Sequence, residues 1–591
     1  MAARPAARRR NQGQARLAAL GACLCLTWLG LGFRLFDVQV VKAAEFESQG
    51  LEQRVRTVTL EAPRGTIFDR NLAPLAITVD SRAVYAVPAE MDDPLYATQV
   101  VAALTGQSVE KARANIAKSR SFAYLARRVD PSLADQVIAH GLKGVYVMPE
   151  PLRAYPAGAL ASSVVGLVTT DDQDRITGLE GLELVYDEEL RGEDGVLEYE
   201  AAAAEVRAIP QAPNRREVAA VRGRDLISTI DSSLQYIGYD VCRRRLETTG
   251  AIGCSIVVLD VESGEILALV EAPSFDPVSR QVVEPVVEEQ NHFSNISIRS
   301  TYEPGSVQKL ITIASAIDTG TVDIDTVIPQ VADTIETTSG ACLSPDDDIN
   351  GCFKDSTEHA TEDLTVREIF IRSSNVGTIM VQQRVGHEQL GDYMTRFGLG
   401  QLTGVDFNGE AAGSFQLDPS CSSCQASAAI GYSVAVTPLQ MAAAYAAIAN
   451  DGVWTRPSLV RAMIDENGNT THVTPQTHRV VSERTAWVMR QILADVVTDG
   501  TGTEAKVKGY RVGGKTGTAL KLGPDGKYTT ATRASFVGMA PIDDPKIVVA
   551  VLIDEPAYEF RYGGAAAAPA FAEVMEAALN QMGVIPDAVA G

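Results

Sequence analysis

"CSIVVLDVESGEILALVEAP", residues 254–273, joins two runs of β-branched and aliphatic residues at Ser263-Gly264, and this pattern predicts a β-hairpin. Three more apolar runs lie far downstream: "YRVGGKTGTALK" (510–521), "RASFVGMAP" (533–541) and "KIVVAVLIDEP" (546–556). An Ala-rich helix is expected from about Ala566. Two strands early and three late predict a five-stranded, mainly antiparallel sheet flanked by helices, so the fold class is α+β.

The residues between the strand groups carry helix start signals. Thr365-x-x-Glu368 and Thr437-Pro-Leu-Gln440 read as capping boxes, the second with Pro438 at the first helical position, and Asn450-Asp451-Gly452 offers a left-handed stop. In "YEPGSVQKLITIASAIDTG" (302–320), Pro304 and Gly305 break the chain and a helix is expected to start at Ser306. A spacing of three puts Ser306 and Lys309 on one helix face, with the positive helix end beside the serine oxygen. Lysine serves as a base there only with a lowered pKa, through burial or a neighbouring cation. Alone, the pair is also what a helix-capping serine produces by chance.

Two further elements join it. In "VREIFIRSSNVGTIM", Ser373, Ser374 and Asn375 interrupt an amphipathic helix. They mark either a plain inter-helix turn or a loop that presents a hydroxyl and an amide to a cleft. In "GGKTGTALK", strand alternation puts Thr516 and Thr518 on one face, where two hydroxyls could hold a carboxylate with Lys515 supplying positive charge. Gly517 between them marks close approach of another backbone, and a peptide could lie along that strand edge. Ser-x-x-Lys, Ser-x-Asn and Lys-Thr-Gly in this order form the signature of penicillin-binding proteins and class A β-lactamases.

The 591 residues leave room for two or three domains. The first 36 hold six arginines and no acid, so the rest carries a net charge of −29, which excludes nucleic-acid binding by the main body. Behind the arginines, "LAALGACLCLTWLGLGF" (17–33) gives about 25 Å of helix, extended if Arg34 snorkels. A cleavable signal sequence shares this pattern, but "FRLFDVQVVKAAEF" offers no small-x-small cleavage site, so one uncleaved span over 17–36 is expected. The arginines place residues 1–16 in the cytoplasm.

Residues 37–225 read as a mixed, elongated module with strand-like "RAVYAVPAE" and "GVYVMPE", helix-like "EKARANIAKS" and a linker-like "AIPQAPNRREVAAVRGRD". After it, Asp231 or Ser232 could cap a helix. Of eight cysteines, Cys23 and Cys25 lie in the span, while Cys342 with Cys352 and Cys421 with Cys424 are close pairs. They suit disulfides or plain thiols better than zinc, and no metal is expected. Asp346, Asp348, Asn350 and Gly351 imitate half a calcium loop, but Thr357 stands where its glutamate belongs, so the stretch reads as a solvated acidic loop.

Taken together, the chain resembles the FtsI-type class B penicillin-binding proteins, septal peptidoglycan D,D-transpeptidases, over roughly residues 60–580. "RGTIFDRNLAPLA", "AYPAGALASSVVGLV" and "GLEGLELVYDEELRGEDG" resemble the family's pedestal. "YEPGSVQK", "SSN", "VTPLQMAAAYAAIANDG", "VGGKTGTALK" and "FVGMAPIDDPKIVVAVLIDEP" resemble its catalytic part. The resemblance implies a pedestal over 37–225 and a penicillin-binding, serine β-lactamase-like transpeptidase domain over 226–591. It implies Ser306 as nucleophile, Lys309 as its base, Ser373 with Lys515 as proton relay, and Asn375 holding the peptide amide. Thr516 and Thr518, flanking Gly517, would bind the terminal carboxylate, and the N–H groups of Ser306 and Thr518 would form the oxyanion hole. The expected substrates are stem peptides ending in D-Ala-D-Ala, with β-lactams as inhibitors and no cofactor. Partners by analogy are a SEDS-type glycan polymerase and other divisome membrane proteins. The absence of a glycosyltransferase-sized block implies a monofunctional enzyme. Arg64, Asp69, Arg70, Glu180 and Glu183 are expected to form an ion-pair frame. The Cys421 to Cys424 segment is a departure that could alter the cleft rim. Elongation-type transpeptidases, D,D-carboxypeptidases, a non-catalytic divisome scaffold and a β-lactam sensor are the competing readings.

Overall fold

The computed structural model describes residues 7–46, 55–119, 122–171, 175–200, 216–284, 294–338, 341–343, 351–523 and 525–587. Packing divides the chain into one unit of residues 1–62 with 193–221 and another of residues 63–192 with 222–591. In the first, an α-helix covers Ala7–Phe36, and the helical stretch Gly13–Val41 is long and apolar enough to cross a membrane. The same unit holds an antiparallel sheet of Val55–Leu60, Gly195–Glu200 and Arg216–Val218. That last strand forms in the stretch read as a linker, whose residues 208–215 lie outside the described residues.

The second unit is built on the expected five-stranded sheet. Its strands are β1 (Gly253–Asp260), β2 (Ile266–Ala272), β3 (Gly513–Leu522), β4 (Tyr528–Ala540) and β5 (Ile547–Asp554), in the order β2-β1-β5-β4-β3, antiparallel throughout. The hairpin turns where predicted, with Gly264 at φ +72. Both faces of β1, β2 and β5 are buried, which is why these strands read as continuous apolar runs. Val257 and Leu259 join one core while Ile256 and Val258 join the other, as strand alternation requires. One face packs on helix Pro438–Ala449, all twelve residues of which are buried. The other packs on helices Ser232–Thr249 and Ala568–Gln581. Both predicted capping boxes form, and Asp231 caps helix Ser232–Thr249 through Ser233 N and Leu234 N.

Further strands tie the halves of this unit together. Ile67–Phe68, Pro74–Val79 and Leu152–Ala154 share one sheet with Asp225–Ser228, Val460–Ile464 and Thr470–His472, so a single sheet draws strands from both sides of position 225. Ala123–Val129, Arg82–Ala86 and Val145–Pro149 form a smaller sheet with a separate core.

The ion-pair frame is present in part. Glu183 is fully buried and bridges Arg64 at 2.7 Å and Arg153 at 2.6 Å, while Glu180 meets Arg299 at 2.6 Å and Arg70 meets Glu265 at 3.3 Å. Asp69 differs from expectation. It accepts from Asn71 N and Ala73 N, each at 2.8 Å, and from Ser232 Oγ at 2.7 Å, so its carboxylate fixes a turn instead of pairing with a base.

The cysteines outside the span form three disulfides: Cys242–Cys254, Cys342–Cys352 and Cys421–Cys424. The first was not foreseen, because its cysteines sit on a helix and on β1, twelve residues apart. No metal-ligating cluster occurs among the described residues; Asp346, Asp348 and Asn350 lie outside them.

Candidate active site

Ser306 does not open an α-helix as expected. It sits in a 3-10 turn, Gly305–Gln308, and the α-helix begins at Lys309 and runs to Asp318. Gly305 takes φ +56, and a Cβ there would stand 2.8 Å from Thr518 O, so the serine turn can press on β3 only with glycine at this position. Gly517 answers from the other side. A Cβ on it would collide with Ser535 Oγ and stand 2.9 Å from Pro304 O, which explains a glycine between the two threonines.

The Ser-Ser-Asn segment satisfies both of its readings. It turns between helices Val366–Ile371 and Asn375–Val385, and it brings Ser373 and Asn375 to the cleft. Ser373 takes φ +59, uncommon for a residue with a Cβ, and strain of that kind gathers at functional sites. Ser374 caps the second helix through Gly377 N at 2.9 Å.

Two lysines meet at this turn, and both are fully buried. Lys309 Nζ donates to Ser373 O and Asn375 Oδ1 at 2.6 Å each and lies 3.4 Å from Ser373 Oγ. None of these bonds reaches Ser306, which lines the cleft one turn earlier. Lys515 Nζ donates to Ser373 Oγ at 2.9 Å. Burial lowers the Lys309 pKa to about 7, against a smaller opposing pull from the Asp355 carboxylate. Burial, then the charge of Lys309, holds Lys515 well below the ordinary lysine range. Lys515 is therefore a weaker source of positive charge than its sequence suggested.

Asp355 was missed, having been read as part of a solvated acidic loop. Its side chain is 7% exposed. Oδ1 accepts from Asn375 N at 2.5 Å and Val376 N at 3.0 Å, and Oδ2 accepts from Ser374 Oγ at 2.7 Å. The carboxylate thus caps the helix that carries Asn375 and sets the turn that carries Ser373. Strand Cys352–Lys354 delivers it, held by the Cys342–Cys352 disulfide, and Lys354 O accepts from Asn375 Nδ2 at 2.7 Å.

The cleft encloses about 530 Å³, and its lining includes Ser306, Ser373, Asn375, Thr516 and Thr518. The structure thus brings together every site residue predicted from sequence, with Lys309 and Lys515 buried directly beneath and Gly517 between the threonines. Thr501 was not predicted; its Oγ1 lies 2.7 Å from Thr516 Oγ1. The Cys421–Cys424 segment begins helix Ser422–Ala429, which leads into Gly431, whose carbonyl accepts from Gly305 N at 2.9 Å, and into Tyr432 on the cleft wall.

Comparison with known proteins places the chain in a family. Residues 59–227 match the penicillin-binding protein dimerisation domain and residues 254–576 the penicillin-binding protein transpeptidase domain. Stage V sporulation protein D of Bacillus subtilis is 35% identical over 576 residues, covering 95% of this chain and 85% of that protein. Peptidoglycan D,D-transpeptidase FtsI of Escherichia coli is 29% identical, covering 97% and 93%. The crystal structure of penicillin-binding protein 3 from Mycobacterium tuberculosis complexed with ampicillin is similar at a TM-score of 0.68 and 30% identity, over 90% of this chain and 98% of that one. The chain belongs to the class B penicillin-binding proteins, peptidoglycan D,D-transpeptidases in which a dimerisation domain precedes the transpeptidase domain.

Proposed function

We propose that this chain cross-links stem peptides at the division septum through an acyl-Ser306 intermediate. The observation that carries the chemistry is the buried array of Lys309, Ser373 and Lys515 beneath a cleft lined by Ser306. Ser306 Oγ attacks the carbonyl between the two D-alanines, and its proton passes to neutral Lys309 Nζ. The N–H groups of Ser306 and Thr518 hold the oxyanion, while Thr516 and Thr518 hold the terminal carboxylate by their hydroxyls. Asn375 holds the peptide amide. When the C–N bond breaks, the leaving D-alanine amine takes its proton through Ser373 Oγ, which the two lysines flank. The amine of a second stem peptide then attacks the acyl-serine, forms the cross-link and frees Ser306. β-Lactams acylate the same serine, a reading supported by the similar structure bound to ampicillin.

One N-terminal helix anchors the chain in the inner membrane, and the arginines before it place the catalytic domain outside. Likeness to FtsI favours the septum and partnership with a SEDS-type polymerase and other divisome proteins. Likeness to stage V sporulation protein D leaves an elongation-type or specialised wall role as the second reading. A D-Ala-thioester donor incubated with a D-amino acid acceptor separates the chemistries: a predominantly aminolysed product fits a transpeptidase, whereas hydrolysis alone marks a carboxypeptidase. A fluorescent fusion spread along the side wall in dividing cells would remove the septal assignment.

A further inference from the structure

Among the described residues lining the cleft, Arg561 is the one charged group. Its guanidinium lies 3.9 Å from the ring centre of Tyr558 and 4.4 Å from that of Tyr562. Nη1 donates to Tyr558 O at 3.2 Å and Nη2 to Tyr562 Oη at 2.9 Å. Guanidinium carries five N–H donors, so these two bonds leave three to spare. No carboxylate among the described residues pairs with it, whereas Arg64, Arg153, Arg299 and Arg533 each meet one. Filling a core does not explain the stack either, since Tyr558 is 74% and Tyr562 50% exposed. The two rings hold a cation in the lining of a cleft whose other described lining residues are neutral.

Its position along β3 says what would meet it. Thr516, Thr518 and Leu520 alternate onto the cleft face, and Leu520 pairs in register with Thr532. Thr532 Oγ1 donates to Arg561 O at 3.2 Å, which ties the arginine to this end of the cleft, beyond Thr518 and away from Lys515. A donor peptide extended along β3, with its terminal carboxylate at Thr516 and Thr518, advances about 3.3 Å per residue. The residue just before the D-Ala-D-Ala pair therefore falls at the Leu520 end.

We propose that Arg561 is a specificity residue that binds a second carboxylate of the donor, carried on the side chain of the residue preceding D-Ala-D-Ala. The inference rests on the transpeptidase reading above and deepens it. In a chain of net charge −23, a local cation is what an acidic side chain needs in order to dock.

The test uses two donors, 2-aminopimelyl-D-alanyl-thiolactate and its side-chain carboxamide, with the detergent-solubilised full chain. A charge-assisted contact in a half-open cleft predicts about a tenfold preference in kcat/KM for the carboxylate donor, carried by KM. In Arg561→Gln the ratio falls to about one, in Arg561→Lys part of it returns, and in Arg561→Glu it inverts. Equal use of both donors by the unmodified chain, or a preference that survives in Arg561→Gln, overturns the inference. Benzylpenicillin separates the two levels: if it acylates the chain while the donors react alike, only the Arg561 assignment falls, and if neither it nor the donors acylate, the transpeptidase reading falls and takes this one with it.

Discussion

Lys309 takes the proton of Ser306 only when neutral, so its lowered pKa sets how acylation varies with pH. Burial lowers that pKa to about 7. The neutral fraction is then about 9% at pH 6 and about 91% at pH 8, whereas a lysine of ordinary pKa would be well under about 1% neutral at pH 8. The second-order rate of acylation by benzylpenicillin should therefore rise about tenfold from pH 6 to pH 8 and level off above pH 8. Benzylpenicillin suits the assay because its own carboxylate stays ionised throughout, and the rate at limiting concentration reports the free enzyme. A fluorescent penicillin read on gels gives the rate at each pH. A rate that keeps climbing tenfold per pH unit through pH 9 would refute the reasoning, because it would mean a solvated, ordinary lysine. A flat profile between pH 6 and pH 8 would refute it equally.

Three further outcomes follow from buried charges. Asp355→Asn removes the charge that raises the Lys309 pKa, so the inflection moves to lower pH; an unmoved inflection excludes the electrostatic link. Glu183→Ala leaves Arg64 and Arg153 buried without their shared carboxylate and should cost about 3–5 kcal/mol in chemical unfolding, with a loss under about 1 kcal/mol contradicting that role. Glu271 is buried against Ser255 Oγ and Ser297 N, and burial raises its pKa to about 7. Its carboxyl ionises in the unfolded chain before it does in the folded one, so stability falls as pH rises from about 4.5 to 7. Glu271→Gln should flatten the fall in Tm between pH 5 and pH 8, and an unchanged slope would show that Glu271 does not cause it.

The parts of this protein that were legible in its sequence are those set by local rules. The hairpin at Ser263-Gly264, the capping boxes at Thr365 and Thr437 and the three motifs around Ser306, Ser373 and Lys515 each follow from spacing within a few residues. Gly517 could be read as a close-approach glycine and Gly305 only as a chain break, but each admits a carbonyl oxygen from the other's segment, Pro304 O and Thr518 O, more than two hundred residues away. What escaped depends on such distant approach. Asp355 looks like any loop acid until strand Cys352–Lys354 is laid against the start of helix Asn375–Val385. Cys242 meets Cys254 only because a helix packs on β1. Asp69 sits beside Arg70 in a charged run, yet its partners are backbone N–H groups and the hydroxyl of Ser232, 163 residues on. Arg561 carries no motif at all, and only the cleft shows that it is the one charged residue among the described residues of its lining.

The central claim is that Ser306 forms the acyl-enzyme. Intact-protein mass spectrometry of the full chain in detergent, with and without benzylpenicillin and beside Ser306→Ala, tests it most directly. One penicilloyl adduct on the parent and none on the variant is the predicted result. An adduct that persists on Ser306→Ala, or none on a folded parent, would contradict the account.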